Sequence, residues 1–332
     1  MKSSLSALAA AACLALGLTA CSGNPAPSAS TTSGPATSAT SGTVETESNL
    51  GKHTIKTPPT SVVALDNRTF SLLDKWDIPV KAGAVSLMRP DLKYKQDGTT
   101  DIGNHREPNL ELIVAAEPDL VISGQRFTQY NEDIAKLVPN ATLVDYSPRD
   151  GEDFAGELKR QVTEMGKIFG KESDADAMIA DFDKAVERAK AAYDPQQKVL
   201  SVITSGGEIN FAAPGKGRSV GPIFDMIGLT PALEVENSSK DHEGDNVSVE
   251  AIADANPDWI LVMDREAAVK GNKGEDFTPA KDVIAGSAAL QNVNAVKNQH
   301  IVYMPQFTYL DEGLATYTEF LNAIADAMEQ AK

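Results

Sequence analysis

Thiols are almost missing from this chain: its 332 residues contain two cysteines, Cys13 and Cys21. From residue 22 onward there is none, which excludes disulfides, thiolate metal sites, iron–sulfur clusters and cysteine nucleophiles from that part. Positive charge is scarce as well. Thirty Lys and Arg against 47 Asp and Glu give a formal net charge of -17, so bulk attraction to nucleic acid or anionic lipid is excluded. Any anion must be met by local basic groups. The signatures of several common chemistries are also lacking: no P-loop, no H-E-x-x-H and no glycine-rich dinucleotide fingerprint. No enzyme is expected. Beyond the N-terminus no apolar run approaches the roughly 18 residues that span a bilayer.

What is present begins with an export signal. Lys2 is the only charge in residues 1–20, and an alanine- and leucine-rich run ends in "LTAC", residues 18–21. That ending resembles the lipobox of bacterial lipoproteins, which implies removal of residues 1–20 and lipidation of Cys21. Loss of Lys2 takes the formal charge from -17 to -18. The next stretch is rich in Ser, Thr, Pro and Gly; with little to bury, 21–50 is expected to be a disordered tether.

The remaining length suffices for two domains with their own cores. From residue 51, short apolar runs alternate with helical spacing, which predicts an α/β lobe over 51–170. Strand character falls at 61–65, 118–123 and 142–146, and helical spacing at 110–117 and 131–138. Residues 152–193 are charged, nearly free of β-branched runs and broken only near Gly170. They read as two helices, the second (171–195) connecting to another α/β lobe over 196–332 that closes on a helix from about 312 to 330. The expected architecture is two Rossmann-like lobes joined by a long backbone helix, with a ligand cleft between them.

One motif occurs in both lobes. "NLELIVAAEPDLVISGQR" ends at Arg126 and "SVEAIADANPDWILVMDR" at Arg265. The arginines are 139 positions apart (265 minus 126), and the same offset separates Glu111 from Glu250 and Pro118 from Pro257. Each copy reads as a short helix, a Pro-Asp turn, a buried strand and a polar strand end. Ligands of open α/β sheets bind beyond the carboxyl ends of strands. Both arginines are therefore expected in one cleft, although each alone would suit a surface ion pair.

These motifs resemble the iron-siderophore-binding lipoproteins of ABC importers. The resemblance covers the chain from about residue 51 and is carried by "LTAC", "EPNLELIVAAEPDLVISG", "VSVEAIADANPDWILVMDR" and "YLDEGLAT". It implies the class III substrate-binding fold. Within that group the likeness is greatest to binders of catecholate siderophores such as enterobactin, petrobactin and bacillibactin. It implies three cleft arginines: Arg265 in "MDRE"; Arg126 in "SGQRF", where Gln125 separates it from the glycine; and Arg218 in "APGKGRSVG", one residue earlier than the family pattern. Tyr309 in "FTYLDEG" matches the family tyrosine, with Asp311 and Glu312 in place of the usual glycines. His242 in "KDHEGDN" matches the family histidine, with Glu243 inserted after it. The resemblance implies that Tyr309 and His242 ligate ferric iron when a siderophore supplies four oxygens, and act as hydrogen-bonding walls when it supplies six. It also implies that Glu111 and Glu250 dock onto arginines of the membrane permease.

The chemistry agrees with these residue types. A ferric tris-catecholate is trianionic, with exposed oxygens and flat rings; a guanidinium both donates paired hydrogen bonds and stacks on an aromatic face. Ferric iron is hard and accepts phenolate and imidazole. The expected function is capture of an iron(III)-siderophore by a lipid-anchored monomer on the extracytoplasmic face of a single-membrane bacterium. Delivery to a permease and its ATPase follows, with no permanent cofactor and no nucleic-acid partner. Haem, vitamin B12, a hydroxamate siderophore and a divalent metal stay open as other cargoes of this importer class. A bare metal site needs converging ligands; His53, His105, His242 and His300 are scattered, and only His105 and His242 fall near expected cleft loops.

Overall fold

In the second repeat the chain is apolar at every position from Trp259 to Met263, the pattern of a strand buried on both faces. The computed structural model describes residues 42–332, and there this run is a central strand. The first lobe contains β1 (Gly42–Ser48), β2 (Gly51–Thr57), β3 (Val62–Ala64), β4 (Ala82–Gly83), β5 (Thr100–Asp101), β6 (Leu120–Ser123) and β7 (Thr142–Asp145). Its helices are α1 (Phe70–Lys75), α2 (Glu111–Ala115) and α3 (Asn131–Leu137). Two long helices follow, α4 (Phe154–Phe169) and α5 (Glu172–Ala192). The second lobe has β8 (Lys198–Ser205), β9 (Glu208–Phe211), β10 (Thr230–Pro231), β11 (Trp259–Asp264) and β12 (Ile301–Tyr303). Its helices are α6 (Pro222–Ile227), α7 (Val249–Ala255), α8 (Arg265–Val269), α9 (Ala280–Gly286), α10 (Asn294–Lys297) and the closing α11 (Leu314–Gln330).

Both sheets are wound from a central pair. The first is parallel, ordered β5-β4-β3-β6-β7. In the second, parallel strands run β10-β8-β11-β12, with β9 antiparallel on β8. The strand order turns back between β3 and β6, and again between β8 and β11. Such a switch point opens a crevice outside the carboxyl ends of its strands. The repeated motif supplies the second strand of each pair, so Arg126 and Arg265 leave their sheets beside the two crevices.

Packing ties the lobes together. Trp259, Leu261 and Met263 join a core that includes Ile122 and Phe127 of the first lobe, Phe182 of α5 and Phe320, Leu321 and Ile324 of α11. Ile260 and Val262 point the other way, into a smaller core with Leu200, Ile252 and Ile284. This period-two division explains why no polar residue interrupts the run. Asp153 caps α4 by accepting from the amides of Ala155 (3.2 Å) and Gly156 (3.0 Å), and Gly170 ends it in the left-handed conformation, φ 63°. The 21-residue α5 spans about 31 Å and is joined to α11 through Arg188, which contacts Asp326 (2.5 Å) and Glu329 (2.6 Å).

The tether expected over 21–50 needs a correction at its C-terminal end. Gly42–Ser48 is a strand, β1, paired antiparallel with β2. Its polar composition conceals a period-two pattern: Thr46 and Ser48 are buried, with hydroxyls satisfied by Glu164 (2.5 Å) and by His53 Nε2 (2.9 Å). The signal peptide, Cys21 and the tether up to residue 41 lie outside the described residues. The last helix starts at Leu314, which leaves Asp311 and Glu312 in a buried turn before it.

Where the first-lobe strand ends, Gly124 has φ 158°, and a Cβ there would lie 2.8 Å from the Asp66 carboxyl carbon. Asp66 cannot easily yield, being fully buried and hydrogen-bonded to Gln161 at 2.9 Å. Gly124→Ala is expected to cost about 1–3 kcal/mol, read as a lower midpoint in urea unfolding. An unchanged midpoint would show that the turn into Arg126 tolerates a side chain.

Candidate functional site

A cavity of about 440 Å³ lies between the lobes, and Arg126, Arg218, Arg265, His242, Tyr309 and His105 are among the residues lining it. Tyr309, in the turn Thr308–Leu310, is 5% exposed. Around its ring stand the guanidinium carbons of Arg218 (4.3 Å from the centroid), Arg126 (5.1 Å) and Arg265 (5.2 Å). Arg126 also donates from Nη2 to the Tyr309 hydroxyl at 2.7 Å. The His242 ring centroid is 6.5 Å from that of Tyr309. All five expected site residues thus converge, from loops of both lobes.

Different local devices position each arginine. Arg126 sits in the turn Gln125–Tyr130 after β6. Arg265 is the first residue of α8, directly after β11; the Asp264 carboxylate accepts from the amides of Ala267 (3.0 Å) and Ala280 (2.7 Å). Asp264 is therefore a helix cap, and the arginine beside it is free to face the cleft. Arg265 contacts Glu266 (3.1 Å), Glu243 (3.2 Å) and Ser205 (3.3 Å), while its buried Nε has no hydrogen-bond partner. Arg218 comes from the loop between β9 and α6 and pairs with Glu312 through Nη2 (2.8 Å) and Nε (3.1 Å).

Glu312 is the member of the site whose role sequence reasoning missed. Its carboxylate also accepts from Ser219 Oγ (2.5 Å) and Gln125 Nε2 (3.0 Å), with Arg68 Nη2 at 3.7 Å. Gln125, which departs from the family spacing, thereby gains a partner. Burial alone would raise the Glu312 pKa, but Arg218 and Arg68, with hydrogen bonds from Arg218 and Ser219, hold it at about 2. His105 was legible as a cleft residue only in outline. Its carbonyl accepts from Tyr130 (2.8 Å) and Gln129 (3.3 Å), fixing its loop, and its buried Nδ1 is unpartnered. Burial lowers its pKa, and Arg126, Arg106 and Arg218 lower it further, so the ring is neutral at neutral pH. Among the described residues no three His, Cys, Asp or Glu side chains are placed to hold a metal ion.

Glu111 and Glu250 are both exposed, in the first turns of α2 and α7, and neither lines the cavity. Each helix runs back along its sheet to feed a parallel strand. Its first turn therefore lies toward the carboxyl-end side of the sheet.

Residues 62–307 match the model of a family described as periplasmic binding protein. The petrobactin-binding protein of Bacillus subtilis is 29% identical over 295 residues, covering 86% of this chain and 89% of that protein. The ferric-anguibactin-binding protein of Vibrio anguillarum is 30% identical over 263 residues, covering 78% of each. The crystal structure of the B. subtilis petrobactin-binding protein superposes with a TM-score of 0.72 at 28% identity, covering 87% of this chain and 99% of that one. These likenesses establish the class III fold, with its two α/β lobes and intervening cleft.

The pairing of Glu312 sets a pH dependence. Its folded pKa of about 2 lies below the ordinary value of 4.5, so it stabilises the fold above pH 4.5, and that contribution is lost as pH falls toward 2. The contribution is on the order of 3 kcal/mol. Denaturant unfolding of the wild type and Glu312→Gln from pH 7 to pH 3 is expected to show a shallower acid loss in the variant; parallel curves would contradict the pairing.

Proposed function

This chain belongs to the periplasmic binding protein family, a family of binding proteins and not of enzymes, and on that premise we propose that it captures a ferric siderophore. The cargo class is a catecholate, delivered to an ABC-transporter permease and its ATPase. One observation carries the reading: three guanidinium groups from two lobes surround one tyrosine ring at 4.3–5.2 Å in a cavity of about 440 Å³. In a protein of net charge -17 such a cluster is a local trap for an anion, and arginine adds stacking on flat rings. The relatives that bind petrobactin and ferric anguibactin support iron–siderophore cargo.

In this reading Arg126, Arg218 and Arg265 hold the catecholate oxygens and rings. Tyr309 and His242 complete the iron shell when the siderophore supplies four donors, and line the cleft when it supplies six. Glu111 and Glu250 offer one exposed carboxylate on the outer face of each lobe at a matched offset of 139 positions, an arrangement suited to a permease with approximate two-fold symmetry. The protein is lipid-anchored through Cys21 on the extracytoplasmic face of a single-membrane bacterium and acts as a monomer; relatives named as substrate-binding lipoproteins support the anchor. The siderophore complex is the transported ligand, with no permanent cofactor.

Quenching of Trp76 and Trp259 on titration with a ferric catecholate is expected to show tight binding. Arg265→Ala is expected to weaken it about tenfold or more, the loss of one charged hydrogen-bonding partner. Unaltered affinity in that variant would remove Arg265 from the site. With a tetradentate catecholate, Tyr309→Phe is expected to shift the iron charge-transfer band; an unshifted band would show that tyrosine is not a ligand.

A further inference from the structure

We propose that Glu312 is a specificity-determining residue that sets how anionic a cargo the cleft selects, by orienting Arg218 and cancelling its charge. The proposal rests on the reading of the cleft as a ferric-catecholate site. The Glu312 side chain is 2% exposed and joins both lobes, since Gln125 and Arg68 come from the first and Arg218 and Ser219 from the second. It grips Arg218 along the Nε–Nη2 edge while the guanidinium carbon stands 4.3 Å from the Tyr309 ring centroid. That edge-on grip fixes which donors remain for a ligand.

The same contact determines the charge a ligand meets. Arg68, Arg218 and Glu312 together carry one net positive charge; without the carboxylate they would carry two. The other acids beside the arginines count for less. Glu243 is half exposed and screened by water, and Glu266, buried like Glu312 and shared between Arg265 and Lys270, has its charged partners in the second lobe alone. Arg126 forms no ion pair among the described residues. Glu312 is therefore the buried carboxylate that tunes the arginine cluster, and it does so at a position where the family resemblance leads one to expect glycine. Coulomb energy scales with ligand charge, so a trianionic complex feels each local charge more than a monoanionic one.

The test compares two ferric catecholates, a hexadentate tris-catecholate of charge three minus and a tetradentate bis-catecholate of charge one minus, in a Tyr309→Phe background so that no phenolate joins the iron of the second. The measured quantity is the ratio of their dissociation constants. Glu312→Gln is expected to shift the ratio toward the tris-catecholate about tenfold or more. Arg68→Gln is expected to shift it the opposite way, and Glu312→Asp, which keeps the charge, to retain the wild-type preference. A purely structural role would weaken both complexes by the same factor, and an unchanged ratio in Glu312→Gln overturns the proposal. Should that variant fail to fold, an unchanged ratio in Arg68→Gln overturns it equally. Wild-type protein that binds neither complex overturns the ferric-catecholate reading itself, which keeps the two failures distinct.

Discussion

Three guanidinium groups within 5.2 Å of one phenol ring repel one another, and the rest of the site depends on how that repulsion is relieved. Tyr309 helps by presenting the face of its ring and a hydroxyl that accepts from Arg126. Carboxylates do the remainder. Glu243 and Glu266 flank Arg265, and Glu312 sits against Arg218 beneath the cluster. Burying a carboxylate is tolerable only with strong partners, and Glu312 has charged or hydrogen-bonding partners at four residues. The binding face thus remains cationic while Glu312 removes one of the two positive charges that Arg68 and Arg218 bring to its support.

The fold brings these groups together by using one motif twice. In each lobe a short helix, a Pro-Asp turn and a buried strand end beside a switch point. With an arginine just beyond each strand, two similar lobes facing one another present two guanidinium groups to one cleft. A core shared by β11, α5, α11 and the first lobe means that the lobes are connected by packed helices and not by a loose linker. The cleft geometry is set in advance of binding, which reduces the ordering cost of capture.

Much of this was legible in the sequence, for definite reasons. Arg126 and Arg265 stand at the same offset as two other residue pairs, and uninterrupted apolar runs mark strands buried on both faces. Tyr309, Arg218 and His242 were legible through family resemblance alone, because nothing in their local spacing distinguishes a cleft loop from any other loop. The structure brings all five together. Glu312 illustrates what stayed hidden: its role depends on residues 68, 125, 218 and 219, which lie in separate loops and meet only in the folded chain. Likewise β1 escaped notice because its inward side chains are hydroxyls whose partners, Glu164 and His53, lie outside the strand itself.

The central claim is that the cleft around Tyr309 holds iron within its siderophore. Anomalous diffraction at the iron edge from crystals of the protein with a ferric catecholate tests it directly. The expected result is a single iron peak in the cavity bounded by Arg126, Arg218 and Arg265, with the catecholate oxygens turned toward the guanidinium groups. An iron peak elsewhere on the protein, or a cleft without iron in crystals grown at saturating complex, would contradict it.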